Sequence, residues 1–228
     1  GGSLDASDRD PRLPSVSDGA DGLDQETLAL RVAAAREAFE ECGVLFARDP
    51  ATGNLVDGHR AADLGARYRK RLEADEIGMA DVAEAEGLRI ALDQLTRFAH
   101  WITPVHMRKR FDTHFFLAPA PFDHTLEHDG NEAVDSVWIR PAQALEEAAA
   151  GKRTMIFATR LNLERLDGSR TVAEAMARAT EAETGIVTVC PDMTMTDKGR
   201  LHTIPIEAGY GGPDFLVETS ALADNKKP

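Results

Sequence analysis

The sequence predicts a protein of the α/β class, which contains both helices and β-strands. Apolar residues recur at helical spacing over 25–43 and again over about 58–95. By contrast, 97–102 and 110–117 are rich in aromatic and apolar residues, a composition typical of strands. A chain of 228 residues can bury the core of one elaborated domain. We therefore predict a single domain over 1–228, with the helices of about 58–95 forming an insertion.

The first helix is predicted to begin after Asp24 and to end at Gly43. Aspartate is a preferred residue just before a helix, and glycine is a common terminator. The preceding segment, 6–24, is rich in Asp, Pro, Ser and Gly and has no periodicity, so we expect it to be irregular. One face of this helix is apolar and should be buried, through Leu28, Val32, Ala35 and Phe39.

The remaining elements are predicted from periodicity and from proline and glycine positions. A short apolar strand, 44–46, should follow the first helix. Leu88, Leu92 and Leu95 suggest that the insertion stays helical to its end. Beyond it we predict strands at 97–102, 110–117, 133–140, 186–190 and 201–206, and helices at 141–150, 155–166 and 171–182.

Three carboxylates lie together near the end of the first helix. Glu37, Glu40 and Glu41 stand at positions i, i+3 and i+4, so they share one side of the helix and should face outward. Like charges at this spacing repel each other. The pattern therefore indicates either a solvated face or a site for a divalent cation such as Mg²⁺, which takes oxygen ligands and often binds phosphates as well. The second reading predicts metal-assisted chemistry on a phosphate.

The nine residues Arg36-Glu37-Ala38-Phe39-Glu40-Glu41-Cys42-Gly43-Val44 resemble the second half of the Nudix box. The resemblance implies an α/β/α sandwich, in which a mixed β-sheet lies between helices, and a hydrolase that cleaves a nucleoside diphosphate linked to another moiety. Trp101-Ile102-Thr103-Pro104 and Arg110-Phe111-Asp112-Thr113-His114-Phe115-Phe116 resemble the branch of peroxisomal coenzyme A diphosphatase-like proteins. The resemblance covers about 1–166.

The first half of the box is less regular. Leu28 stands where the family has a further glutamate, and Gly22 has the spacing of the family's glycine. Gly1-Gly2 is a better match for the Gly-Gly turn, with an expanded loop between it and the helix. On that alignment, the strands that precede the turn in the family would be missing from these residues.

The resemblance also implies the roles of the box residues. Glu40 and Glu41 would hold Mg²⁺ or Mn²⁺, with Glu37 as a further ligand. Arg36 would orient the carboxylate of Glu40 four positions away. The substrate would be a small nucleotide diphosphate, and the resemblance to the branch points to a coenzyme A-like compound.

The family adds a distal carboxylate that serves as metal ligand or general base. Glu132 is the first candidate, and Asp135 and Glu127 are alternatives. The seven histidines show no compact metal-ligand spacing along the chain, so the sequence does not predict a zinc site.

The composition bears on partners and location. The formal net charge is −13, with 39 acids against 26 bases, which disfavours binding to nucleic acid or to an anionic membrane. No apolar run is long enough to span a bilayer. Two distant cysteines, Cys42 and Cys190, favour reduced thiols and a cytoplasmic protein. The resemblance also implies a possible homodimer.

A different class of function stays open at this stage. A catalytically silent Nudix-fold module, which binds a nucleotide or regulates a partner, would carry the same box. Leu28 in the acid position is compatible with it, whereas the presence of Glu37, Glu40 and Glu41 favours the enzyme.

Overall fold

The computed structural model describes residues 2–121, 123–124 and 137–218. They form two compact units. The first consists of Gly1–Thr96 and Ala118–Trp138, and the second of Arg97–Leu117 and Ile139–Pro228. The prediction of helices combined with mixed sheets is confirmed. The prediction of one domain with a helical insertion stays a prediction.

The first unit is organised around helix α1, Gln25–Cys42. The Asp24 side chain accepts a hydrogen bond from the Thr27 amide and so caps its first turn, as predicted. Gly43 ends the helix with φ of 71°, a left-handed conformation that suits glycine. The predicted apolar face is confirmed, because Leu28, Val32, Ala35 and Phe39 are all buried.

The segment before α1 is more ordered than its composition suggests. It contains two short 3₁₀ turns, Ala6–Arg9 and Leu13–Val16, and then strand β1, Ser17–Asp18. Leu13 is fully buried, so this segment contributes to the core of the first unit. The expectation of an irregular loop over 6–24 is therefore wrong in part.

Two helices follow the box. Helix α2, Gly58–Glu73, is capped by the Asp57 side chain, and helix α3, Met79–Glu86, ends at the left-handed Gly87. Helix α2 packs on α1 close to the box, where the Arg69 guanidinium donates to the Glu40 carbonyl at 2.5 and 3.1 Å.

The helical prediction is wrong for the end of the insertion. Strand β2, Ala47–Arg48, and strand β3, Arg89–Ala91, pair antiparallel, and β1 pairs with β3 in parallel. A 3₁₀ turn follows at Leu92–Gln94. The leucine spacing resembled a helix, but Leu88 and Leu92 are buried beside a three-stranded mixed sheet.

The second unit contains two further three-stranded sheets. In the first of these, strand β4, Thr96–Ile102, lies between β5, Asp112–Leu117, and β6, Thr188–Val189. The predictions of β4 and β5 are confirmed. Strands β4 and β6 run parallel, with His100 opposite Thr188.

Three helices and an antiparallel sheet complete the second unit. The helices are α4, Pro141–Ala149, α5, Phe157–Asp167, and α6, Val172–Ala182, all close to their predicted positions. The sheet is formed by β7, Asp192–Thr196, β8, Gly199–Thr203, and β9, Asp214–Glu218.

The core of the second unit is built around Trp101 of β4. Its indole nitrogen donates to the Tyr210 hydroxyl at 3.0 Å, and that hydroxyl donates to the Asn162 side chain at 2.7 Å. Leu161 and Val189 pack in the same cluster. The buried polar groups of the two aromatic residues are thus paired, which stabilises a core built from strand, helix and loop.

Two predicted elements differ from the structure within the described residues. The third strand, 133–140, is not regular structure over 137–140, and its first residues lie outside the described part of the chain. The strand expected at 201–206 begins and ends earlier, because Ile204 and Pro205 lead into a 3₁₀ turn at Ile206–Ala208. None of the helices in the described part of the chain is both long enough and apolar enough to cross a bilayer.

Candidate metal and diphosphate site

Helix α1 carries the predicted site residues of the box on its last two turns. Glu37 and Glu41 are partly exposed, as expected for acids that face outward. Arg36 and Glu40, however, are only 3% and 7% exposed. The prediction that all three acids face solvent is therefore wrong for Glu40. Burial of a carboxylate and a guanidinium is costly unless each is paired. The partners of Arg36 and Glu40 therefore determine whether this arrangement is stable.

The Arg36 guanidinium is the centre of this group of charges. One terminal nitrogen donates to the Glu37 carboxylate at 2.8 Å and to the Glu40 carboxylate at 2.9 Å. The prediction that Arg36 orients Glu40 stays a prediction about function, but the two side chains are in direct contact. Arg36 thus reduces the repulsion between two acids of the box.

The opposite edge of the guanidinium is bound by the N-terminal segment. Asp8 accepts two hydrogen bonds from Arg36, both at 3.0 Å, in a bidentate arrangement. Arg36 also donates to the Ser3 carbonyl at 2.9 Å, and the Asp5 carboxylate lies 3.2 Å away. Asp8 is only 1% exposed, so this pair is buried. Sequence reasoning missed both aspartates: Asp8 lies in the segment expected to be irregular, and Asp5 directly precedes it.

The acids around Arg36 offset the effect of burial on its pKa. Desolvation lowers the pKa of Arg36, but the hydrogen bond and charge of Asp8 and the charges of Glu40 and Glu37 outweigh it and raise the pKa above its ordinary value. The guanidinium is therefore a permanent cation within this acidic group. A fixed cation of this kind positions carboxylates without itself exchanging protons.

Gly2 lies against the carboxylate of Glu37. A Cβ atom at Gly2 would stand only 3.0 Å from the Glu37 carboxyl carbon and closer still to one of its oxygens. A side chain at this position would have to displace the glutamate. Gly2, which was aligned with the second glycine of the family's turn, thus lies next to the box, where its lack of a side chain leaves room for Glu37.

Among the described site residues, Glu40 has the carboxylate whose pKa is shifted most from its ordinary value. Burial is the main cause and raises its pKa to about 7, with added repulsion from Glu37 and Asp5 and opposition from Arg36. Its Oε1 atom is buried and has no hydrogen-bond partner among the described residues. A buried carboxylate oxygen without a donor is a natural ligand position for a divalent cation, so Glu40 fits the expected metal.

The other predicted ligands are only partly assembled. No three box carboxylates of the described chain have ligand atoms all within 4.8 Å of one another, whereas His100, Asp112 and His114 do. A cation would have to draw Glu41 and Glu37 toward Glu40. The distal candidates Glu132, Asp135 and Glu127 lie outside the described residues, so their positions stay predictions.

The raised pKa of Glu40 makes stability depend on pH in a predictable direction. An unfolded glutamate ionises near pH 4.5, but folded Glu40 stays protonated up to about pH 7. The unfolded state therefore loses a proton first, and stability falls as pH rises from about 4.5 to 7. Glu40→Gln removes this penalty of about 3 kcal/mol, so we expect it to raise the metal-free Tm at pH 8 by roughly 6–12 °C more than it does at pH 4.5.

Calorimetry of the metal-free protein at both pH values would check this expectation. Glu26→Gln, on the first turn of the same helix and exposed, is the matched control and should show no such difference. An equal effect of Glu40→Gln at the two pH values would contradict the assignment. Added Mg²⁺ should raise the Tm of the unaltered protein at pH 8 more than that of the variant.

The fold and the box define a class. The crystal structure of a NUDIX hydrolase from Alicyclobacillus acidocaldarius matches with a TM-score of 0.60 and 26% identity, covering 77% of this chain and 78% of that one. It shares both the mixed α/β architecture and part of the sequence. The molecule is thus of the Nudix class, as the box predicted.

The family within that class follows from the sequence match. The family profile described as the NUDT19 Nudix domain matches residues 8–164, and the chain belongs to this family. This extent agrees closely with the predicted resemblance over about 1–166.

Two curated relatives carry the name acyl-coenzyme A diphosphatase NUDT19. The human protein is 26% identical over 94% of this chain, and the Xenopus laevis protein is 23% identical over 96%. A third relative, putative nudix hydrolase 7 of Caenorhabditis elegans, is 30% identical over 54% of this chain. The chain spans 59% of the length of the human and the Xenopus relatives.

Proposed function

We propose that this protein is a divalent-metal-dependent hydrolase that cleaves the diphosphate linkage of a nucleoside diphosphate joined to another moiety. The observation that carries the proposal is the buried, hydrogen-bonded Arg36, which brings the carboxylates of Glu37 and Glu40 together. A helix that serves only as a solvated surface has no need of a buried guanidinium between its acids. Family membership supports the same conclusion.

The box residues have distinct proposed roles. Glu40 and Glu41 bind Mg²⁺ or Mn²⁺, and Glu37 is a further ligand or takes part in proton transfer. Arg36 positions Glu37 and Glu40 and does not contact the substrate, because its donors are directed at protein carboxylates and a carbonyl. Glu132 is the proposed distal ligand or general base. When bound, the cation would neutralise charge on the diphosphate and lower the pKa of a bound water.

The state of Glu40 links catalysis to pH. With its pKa near 7, this carboxylate is partly protonated at neutral pH in the absence of a cation. Binding a cation therefore requires release of that proton, so the apparent metal affinity should rise with pH through this range. The buried position of Glu40 also excludes water from one side of the site, which strengthens electrostatic interactions there.

The proposed substrate class is a coenzyme A-like compound. Its support is the name of the human and Xenopus relatives, together with the matching motifs around Trp101 and Phe115. Trp101 itself is 4% exposed and packs in the core, so it does not stack on a nucleotide base. Substrate specificity must then come from other side chains.

A substrate panel tests both the reaction and its class. The purified chain would be incubated with coenzyme A, an acyl-coenzyme A, a nucleotide sugar, a dinucleoside polyphosphate and a nucleoside triphosphate, with Mg²⁺, with Mn²⁺ or with a chelator. Mass spectrometry should detect two phosphomonoester products from the coenzyme A compounds only when the cation is present. Calorimetric binding without any product would instead support the catalytically silent module.

The cytoplasmic location and the small-molecule partner belong to the same proposal. Cys42 and Cys190 are both unbridged, which suits a reducing compartment. The net charge of −13 supports a protein that does not bind nucleic acid or anionic membranes. A homodimer is proposed from the family resemblance alone, and sedimentation of the purified chain would test it.

A further inference from the structure

Two histidines that are distant in sequence are stacked in the second unit. His100 lies on β4 and His114 on β5, which are hydrogen-bonded neighbours in their sheet. Their rings are 3.9 Å apart between centroids and only 13° from parallel. Strand pairing therefore brings together side chains whose spacing along the sequence gave no sign of a shared site.

Asp112 joins this pair through a single oxygen. Its Oδ1 atom is 2.5 Å from Nε2 of His100 and 3.7 Å from Nε2 of His114. Each of the three residues thus offers one ligand atom, and these atoms lie within 4.8 Å of one another. In the part of the chain that the structure describes, no other set of three histidine, cysteine or acidic side chains does so.

The burial of the three side chains suits a ligand site that opens to solvent. The histidine side chains are 16% and 17% exposed, whereas that of Asp112 is 62% exposed. The imidazoles are therefore held in the sheet, and an ion could reach them past Asp112.

A second residue fixes the orientation of His100. Thr188 of β6 lies opposite His100 in the parallel register, and its hydroxyl is 2.7 Å from Nδ1 of the ring. When Nδ1–H donates to that hydroxyl, the lone pair of Nε2 is directed toward Asp112. A hydrogen bond to the other ring nitrogen is the usual support of a metal-bound histidine.

We infer that His100, Asp112 and His114 form a second metal site, made up of residues outside the box, that binds a Zn²⁺-like transition-metal ion. Two imidazoles and one carboxylate suit Zn²⁺ and its neighbours, whereas Mg²⁺ prefers oxygen ligands alone. Three protein ligands leave one position for water or a substrate group. This inference does not depend on the proposed function of the box.

The geometry requires only small movements. Zn–N and Zn–O bonds of about 2.0 Å place neighbouring tetrahedral ligands roughly 3.3 Å apart. The pair at 3.7 Å must therefore close slightly, and the hydrogen-bonded pair at 2.5 Å must open. The two rings must also tilt away from parallel so that both Nε2 lone pairs are directed at one ion. The ion then takes the place of the direct hydrogen bond between Nε2 of His100 and Oδ1 of Asp112.

Zinc binding to the full chain, without a histidine tag, tests this site. Isothermal titration of the chelator-treated protein with Zn²⁺ should give one tight site per chain that survives Glu40→Gln. His114→Ala and Asp112→Asn should each weaken this binding at least about tenfold, and Thr188→Val should weaken it by a smaller factor. His59→Ala, an exposed histidine of α2, is the matched control and should leave the binding unchanged.

Spectroscopy distinguishes ligation from a general effect on folding. X-ray absorption of the zinc-loaded protein should show scattering from two imidazoles per ion, and His114→Ala should leave one. Circular dichroism of each variant checks that the fold is retained, and Asp112→Asn is the fallback because this side chain is largely exposed. Zinc binding that is lost in Glu40→Gln, or unchanged in both His114→Ala and Asp112→Asn, would overturn the inference.

Discussion

Replacing Glu41 by glutamine is expected to lower divalent-dependent hydrolysis about a thousandfold while the fold is retained. A ligand carboxylate contributes several kcal/mol to the stabilisation of charge on a diphosphate, and each 1.4 kcal/mol corresponds to about tenfold in rate. Glutamine keeps the size of the side chain and removes its charge. Glu41 is partly exposed at the end of α1, so the substitution leaves the core intact.

Steady-state kinetics at several Mg²⁺ concentrations would measure this effect. The loss should appear in kcat/KM at saturating metal, and the metal concentration for half-maximal activity should rise. Glu26→Gln is the matched control on the same helix and should change neither quantity. Turnover of Glu41→Gln within a few fold of the unaltered protein would remove Glu41 from the proposed metal site.

Replacing Asp8 by alanine is expected to lower the free energy of unfolding by about 3 kcal/mol and the Tm by roughly 6–12 °C. The reason is that Asp8 is the bidentate partner of Arg36, and both groups are almost completely buried. Without it, the guanidinium keeps Glu37 and Glu40 but loses two charged hydrogen bonds. Asp8 also accepts a hydrogen bond from the Asp5 amide at 2.9 Å, so the 3₁₀ turn of the N-terminal segment is weakened as well.

Chemical denaturation of four proteins would separate the pair from its surroundings. The unaltered protein, Asp8→Ala, Arg36→Met and the double variant form a thermodynamic cycle. The double variant should be much less destabilised than the sum of the single ones, because neither charge is then left unpaired. Asp10→Ala, which breaks a partly exposed pair with Arg12, should cost less than about 1 kcal/mol. Additive effects of Asp8→Ala and Arg36→Met would contradict the proposed pairing.

The sequence predicts local features of this molecule well. Helix α1 could be placed from Asp24 to Gly43 because caps and apolar spacing depend only on neighbouring residues. The contact between Arg36 and Glu40 could be expected for the same reason, since residues four apart are neighbours on a helix. Strands β4 and β5 were recognisable from their aromatic and apolar residues.

Features that depend on the path of the chain could not be predicted. The pairing of Asp8 with Arg36 joins a 3₁₀ turn to a helix, and nothing in the spacing of the two residues indicates it. The approach of His100 to His114 depends on how β4 and β5 pair. To find such contacts, one would have to know which strands pair with each other, and the pattern of a single segment does not contain this information.

Two errors have more specific physical causes. Strands β7 and β9 were missed because each has few apolar residues: β7 has only Met193 and Met195 among polar residues, and β9 has only the short apolar run 215–217. The segment after α3 was assigned to a helix because its leucines stand at spacings of four and three. The same spacings also fit a short strand followed by a 3₁₀ turn, which is what the structure contains. Short apolar runs do not distinguish helix from strand.

The location of the acids on α1 has a consequence for engineering. Glu40 and Glu41 lie in the last turn of an 18-residue helix that has no basic residue there, so the negative end of the helix dipole adds to their mutual repulsion. A neutral or basic replacement of Glu41, which is partly exposed, should therefore make the metal-free chain more heat-resistant. A screen that selects only for thermal tolerance would enrich changes at this position and discard the proposed metal site. Directed evolution of this protein should include the divalent cation in every round.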